Sequence, residues 1–166
     1  MGKVPCWTEQ WERVLRWHER IKDQKQPRLD YEDDLWAFFQ NCWHMKDWIK
    51  NDHALGLTQG KKTGFEDEVN RSVPLVICGD LANRTKHALP NNRRKTTKGA
   101  HVLGLAYHAH VHEHVGKRKK RTIRVRQRWD YRIAYDNGKE TKALVLAKEA
   151  ITAWRKVFKG LGLKVP

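Results

Sequence analysis

The chain has little of what would staple, anchor or power a protein. Its three cysteines, Cys6, Cys42 and Cys78, are widely spaced, odd in number and without a CxxC pair. That argues for a reducing compartment and against both a disulfide framework and a thiolate zinc site. The start, MGKVPCWTEQWERV, lacks an apolar stretch long enough for a signal peptide, and no later run approaches a membrane span. The expectation is a soluble, cytoplasmic protein with no membrane partner. No P-loop, dinucleotide fingerprint, GxSxG or HExxH occurs, so nucleotide-driven, hydride-transfer, serine-hydrolase and zincin chemistries are unsupported and no cofactor is expected.

Acidic residues are scarce in one half only. Residues 1–89 carry 14 Lys/Arg against 14 Asp/Glu, whereas residues 90–166 carry 20 against 5, so the whole net charge of +15 lies in the second half. A block of this kind suits a polyphosphate partner; a solvated basic face is the plainer alternative. With 166 residues the chain is long enough for one self-sufficient core.

Helical spacing dominates the neutral half. In TEQWERVLRWHERIKD, residues Trp7, Trp11, Val14, Leu15, His18 and Ile21 share a face, with Thr8 as the expected cap and an end before Pro27. In DYEDDLWAFFQNCWHMKDWIKND, Asp30 is the expected cap, and Leu35, Phe38, Phe39, Cys42, Met45 and Ile49 form an apolar stripe widened by Trp36, Trp43 and Trp48. The Gly- and Lys-rich HALGLTQGKKTGFEDE reads as a loop. Helix then resumes in SVPLVICGDLANRTKHAL, with Ser72 as cap, Pro74 in the first turn, and Leu75, Cys78, Leu81, Ala82 and Thr85 facing the core. Pro90 and NNRRKTTKG end it.

From His101 the period falls from 3.6 to 2. HVLGLAYHAHVHEHV reads as a strand, GKRKKR as a turn and TIRVRQRWDYRIAY as the antiparallel partner. Asn137-Gly138 signals a further tight turn into a short strand around residues 140–144. A last amphipathic helix, ALVLAKEAITAWRKVFKGL, places Leu144, Ala147, Ile151, Trp154, Phe158 and Leu161 inward, with Gly160 as its stop. The expected class is α+β: a single domain over residues 1–166, mainly a bundle of about four helices, with a three-stranded antiparallel β element between the third and last helices. Its parts are a charge-neutral helical portion (1–89), a basic β-hairpin insertion (100–142) and a closing helix (143–162).

The second half carries a candidate nucleic-acid surface. Alternation places His108, His110, His112 and His114 on one strand face, continuing across the hairpin into Arg124, Arg126, Arg128 and Arg132. Lys117, Arg118, Lys119, Lys120 and Arg121 crowd the turn. Alternate histidines could in principle ligate zinc, but fixed cations beside them disfavour a dication, and Glu113 falls on the other face by parity. Arginine forks and imidazole donors instead suit phosphate oxygens. The partner so implied is RNA first and DNA second, read through its backbone and without metal. The rival reading is a solvated hairpin.

The neutral half holds a second constellation. His44 and Asp47 are three residues apart on one helix; Asn83, Arg84, Lys86 and His87 cluster with Asp80 on another. If the two helices pack with these faces together, His87 could serve as general base or acid on an RNA 2′-hydroxyl. Arg84 and Lys86 would stabilise charge on the phosphoryl oxygens, Asn83 would position the phosphate, and His44 with Asp47 would supply a second acid/base and its orienter. The alternative is that Asp80, Asn83, Asp47 and His44 form a buried hydrogen-bond network or helix-end salt bridges that fix helix register.

FFQNCWHMKDWIKND, ICGDLANRTKHA and the closing LAKEAITAWRKVF together resemble the HEPN superfamily. That resemblance implies a compact helical bundle that often dimerises and acts as a metal-independent RNA endonuclease in toxin or defence systems, with the basic hairpin as an insertion. A homodimer or a partner protein is therefore open. The HEPN motif separates its Arg-polar pair from His by four to six residues, whereas only two lie between Arg84 and His87. A non-catalytic nucleic-acid-binding subunit of a larger nucleoprotein complex, acting through the hairpin, is the competing function.

Overall fold

The computed structural model describes residues 6–86, 100–115, 121–135 and 138–165, with the backbone alone at 84–86, 100–115 and 121–128. Among these, five α-helices run α1 (Trp7–Lys22), α2 (Arg28–Asn51), α3 (Gln59–Arg71), α4 (Val73–Lys86) and α5 (Ala143–Gly160). Strands β1 (Ala100–Val115), β2 (Arg121–Tyr135) and β3 (Glu140–Lys142) lie between α4 and α5. The class is α+β and mainly helical.

The apolar stripe of α2 is buried throughout, from Leu35 to Ile49. Against it pack Trp11, Val14 and Ile21 of α1, Leu75, Cys78 and Leu81 of α4, and Leu146, Ile151, Trp154 and Phe158 of α5. Phe158 is the aromatic hub, with ring centroids 5.0 Å from Trp7, 4.9 Å from Trp11 and 5.7 Å from Trp154. The buried Trp154 indole donates to the Cys42 carbonyl at 3.0 Å, which satisfies its one polar atom inside the core.

The helix count exceeds the expected four because residues 59–71 are helical and not a loop. The interior Gly64 costs this segment about 1 kcal/mol relative to alanine, Gly60 stands in its first turn, and only Phe65 and Val69 bury a side chain. Tertiary contact outweighs that low propensity: Phe65 meets the Trp154 ring at 6.3 Å, and Glu66 pairs with Lys50 of α2 at 2.6 Å.

Three helix ends also differ from expectation. Thr8 lies inside α1, whose first amide, at Trp7, donates instead to the buried Asp52 carboxylate at 3.0 Å; the other Asp52 oxygen accepts from Ala54. A residue 45 positions away thus does the work of a local cap. Helix α2 begins two residues before Asp30, after Pro27, whose carbonyl accepts from Tyr31. Gly160 belongs to α5, and the stop is Gly162 at φ +71. There Gly162 donates to Lys159 and Leu163 to Phe158, the paired bonds of a Schellman motif.

The sheet has order β1-β2-β3 and is antiparallel. Two long strands form a ribbon, and β3 adds only three residues at its base, ending where Ala143 starts α5, so the element is slighter than the three-stranded one expected. Beyond β3 the outer edge of β2 is completed by the α1–α2 connection. Trp129 donates its amide to the Gln24 carbonyl at 3.2 Å, and Gln24 Nε2 donates to the Trp129 carbonyl at 2.6 Å. Tyr131 and Ile133 are buried, with Tyr131 against Tyr31 at 5.5 Å, so the base of the ribbon belongs to the core.

Candidate nucleic-acid interface

The ribbon pairs His108 with Arg128, His110 with Arg126, His112 with Arg124 and His114 with Thr122. Cross-strand partners in an antiparallel pair share one side of the sheet, so the histidine row and the arginine row occupy the same side of the ribbon. Glu113 pairs with Ile123, in the other parity class. An irregularity between Val102 and Gly104 inserts Leu103 and was not legible in the alternation; it resets the phase below the row and leaves the row itself in step. From Trp129 to Arg121 the strand runs roughly 27 Å at 3.3–3.4 Å per residue. Arg121 begins β2, whereas Lys117, Arg118, Lys119 and Lys120 lie outside the described residues.

The base of that side carries carboxylates, and Asp130 stands there by the same parity that excludes Glu113. Asp130, largely buried, pairs in register with Ala106 and is bridged by Lys142 at 2.7 Å; Glu140 lies 3.3 Å from Arg132. Lys142 is the register partner of Arg132 across β2 and β3. The two acids are thus matched by two cations, and Arg132, grouped above with the phosphate-binding arginines, is already engaged. Two aromatic residues of β2 on the other side of the ribbon are committed at its base: Tyr131 is 3% exposed, and Trp129, half-buried, donates its indole N–H to the Gln26 carbonyl at 3.0 Å. Burial pushes the Tyr131 phenol up to about 12.

Helices α2 and α4, which carry the second constellation, pack directly on each other. The two helices meet at Cys42 and Cys78, whose thiols interact in the core, and at Gly79, where an added Cβ would stand 2.9 Å from the Trp43 ring. Burial, with the Cys42 sulfur, pushes the Cys78 thiol well up, so it is an inert core group. His44 and Asp47 are exposed, as is Asn83, while Asp80 is half-buried. Among the described residues no hydrogen bond or ion pair joins His44 or Asp47 to α4, so the buried-network alternative does not describe those two residues. Arg84 and Lys86 lie on the last turn of α4, where the backbone alone is described, and His87 lies outside the described residues.

The buried polar groups that do fix the helices went unnoticed in the sequence. The Asp34 carboxylate, 3% exposed, is gripped by Arg20 through Nε at 2.9 Å and through the terminal nitrogen at 2.8 Å, and it also accepts from Gln26 at 3.1 Å. This bidentate clamp joins α1 to α2 and holds the connection that borders β2. No signal in sequence distinguished Asp34 from its neighbours Glu32 and Asp33 except its place among the inward positions.

Among the described residues no helix is long and apolar enough to cross a membrane, and no group of His, Cys, Asp and Glu is placed to hold a metal ion; the side chains of the 108–114 row are not among those described. No family model, curated protein or solved structure matches the chain.

Proposed function

We propose that the protein binds RNA through the phosphate backbone, with the β1–β2 ribbon as its main contact surface. The observation that carries this reading is the register, in which His108, His110 and His112 stand opposite Arg128, Arg126 and Arg124. A ribbon side with this many cationic and donor positions offers repeated grips for phosphate oxygens and little that distinguishes one base from another. The charge distribution supports it, since the entire excess of +15 falls in residues 90–166.

The HEPN resemblance adds a second element, a metal-independent cleavage centre around Asn83, Arg84, Lys86 and His87, in a toxin or defence effector. The exposure of His44, Asp47 and Asn83 favours it over an internal structural role, because a polymer can reach them. In this scheme His87 takes the 2′-hydroxyl proton, the oxygen attacks phosphorus, the P–O5′ bond breaks as the 5′-oxygen takes a proton from His44 acting as the second acid, and a 2′,3′-cyclic phosphate results. Arg84 and Lys86 stabilise the charge that develops on the phosphoryl oxygens.

One experiment tests both elements: purified protein is incubated in excess EDTA with a pool of tRNA and single-stranded RNA, bound RNA is measured and fragment ends are mapped. Discrete fragments ending in 2′,3′-cyclic phosphate, lost in His87→Ala with affinity retained, are the expected result. Salt-sensitive binding without fragments would remove the cleavage element and leave a non-catalytic nucleoprotein subunit. No binding at all would remove both.

A further inference from the structure

A groove of about 500 Å³ opens between α1 and α5, on side chains that play no part in the ribbon. Its floor is apolar, made by Leu15, Leu144 and Ile151, and its walls carry Lys22, Lys148, Arg155 and His18 against a single carboxylate, Glu19. Glu19 is already taken by Lys22 at 2.5 Å. Among the described residues, the Lys148 and Arg155 side chains have no carboxylate partner, and the Thr152 hydroxyl between them donates to the Lys148 carbonyl at 2.9 Å, leaving its oxygen free to accept. The His18 ring is mostly buried, at 15% exposure, with Glu19 3.9 Å away and Arg155 and Lys22 near enough to repel a proton from it.

Lys22 is neutralised by Glu19, which leaves Lys148 and Arg155 as the uncompensated charges of the groove, and an anion between them is attracted by both at once. The volume lies in the range of small-ligand sites, and a floor of aliphatic side chains beside paired cations fits a ligand with one apolar part and one phosphate. We propose that the α1/α5 groove is a phosphate-ester site for a nucleotide unit. Lys148 and Arg155 hold the phosphate, and Leu15, Leu144 and Ile151 receive the sugar and base. The unit comes either from a free nucleotide or from the end of an RNA strand. The site stands on its own side chains and does not depend on the ribbon's binding RNA.

The test uses the full chain, with 5′-AMP as the probe and the His18 imidazole proton resonances as the local reporter. Saturable shifts are expected at millimolar 5′-AMP, with the His18 titration moved to higher pH when the site is filled. In Lys148→Gln with Arg155→Gln the affinity falls about tenfold or more, in keeping with loss of charge-assisted hydrogen bonds, whereas Arg124→Ala with Arg126→Ala leaves it unchanged. Both altered residues of the first variant are exposed, and an unchanged unfolding midpoint confirms that it folds. Displacement of 5′-AMP by a short RNA assigns the groove to a strand end, and failure of RNA to compete assigns it to the free nucleotide; each supports the site. Absence of a saturable shift, or equal binding by wild type and the Lys148/Arg155 variant, overturns it. Equal weakening by the Arg124/Arg126 variant also overturns it, because the probe would then be read by the ribbon.

Discussion

The Trp129 indole donates to the Gln26 carbonyl at 3.0 Å while the Trp129 amide and carbonyl bond to Gln24, so a single strand residue is tied to the α1–α2 connection through both its main chain and its side chain. That connection is in turn held by the Arg20 and Gln26 bonds to buried Asp34. The long ribbon is therefore fastened at its base to the first two helices and not only to its chain neighbours.

Trp129→Phe keeps most of the buried ring and removes one hydrogen bond, so a loss of about 1 kcal/mol is expected. Trp129→Ala also removes a large half-buried side chain and should cost roughly 2–4 kcal/mol, somewhat less than truncation of a fully buried aromatic. Urea unfolding of both variants measures this. Equal midpoints for Trp129→Ala and wild type would show that the anchor contributes nothing.

Gly79→Ala places a methyl group 2.9 Å from Trp43 ring carbons, closer than carbon atoms pack. The ring must move against Lys46, whose ammonium lies 3.7 Å from its centroid. Overpacking of this type costs about 1–3 kcal/mol. In the Trp43→Leu background the same change should be nearly neutral, and a double-mutant cycle on unfolding free energies checks the coupling. An additive cycle would mean that the close approach is not what keeps residue 79 a glycine.

The elements with continuous periodicity were legible in the sequence. The stripe from Leu35 to Ile49 needed no knowledge of partners, because the pattern names its own buried side, and the alternation of β2 was enough to pair it with β1. The register of histidine against arginine followed from parity once the two strands were joined by a short turn. Helix α3 was not legible because two buried residues and two glycines do not make a periodic signal. Its reason to be helical is Phe65 against Trp154 and Glu66 against Lys50. The cap of α1 was missed because Asp52 is distant in sequence. Helical spacing showed that His44 and Asp47 share a face, but it carried no information on whether that face meets α4, and it lies exposed.

His18 supplies a pH dependence with a definite sign. Its pKa is lowered from 6.5, first by burial and then by Lys22, with Glu19 of the same helix pulling the other way, Arg155 of α5 adding repulsion, and the uncharged Phe38 ring of α2 at 5.9 Å. Between the lowered native value and 6.5 the unfolded chain takes up a proton that the native chain refuses. Stability therefore falls as pH drops through this window and is fully retained above it. His18→Gln removes this contribution, so its stability should fall less than that of wild type between pH 7 and pH 5 in phosphate-free buffer. Parallel curves for the two proteins would contradict the assignment.

Arg132 should matter less to RNA than the arginines farther along β2, because Glu140 already engages it at 3.3 Å. The expected order of effect in RNA-binding titrations is Arg124→Ala and Arg126→Ala well above Arg132→Ala. A larger loss at Arg132 would move the contact surface to the base of the ribbon.

The salt dependence of RNA affinity tests the central claim most directly. Log affinity is measured against log salt for wild type and for the Arg124→Ala, Arg126→Ala double variant. Each lost phosphate contact removes about 0.7–0.9 from the slope, so the double variant should bind more weakly and with a slope shallower by about 1.5. Identical affinity and identical slope in the two proteins would contradict a phosphate-binding ribbon.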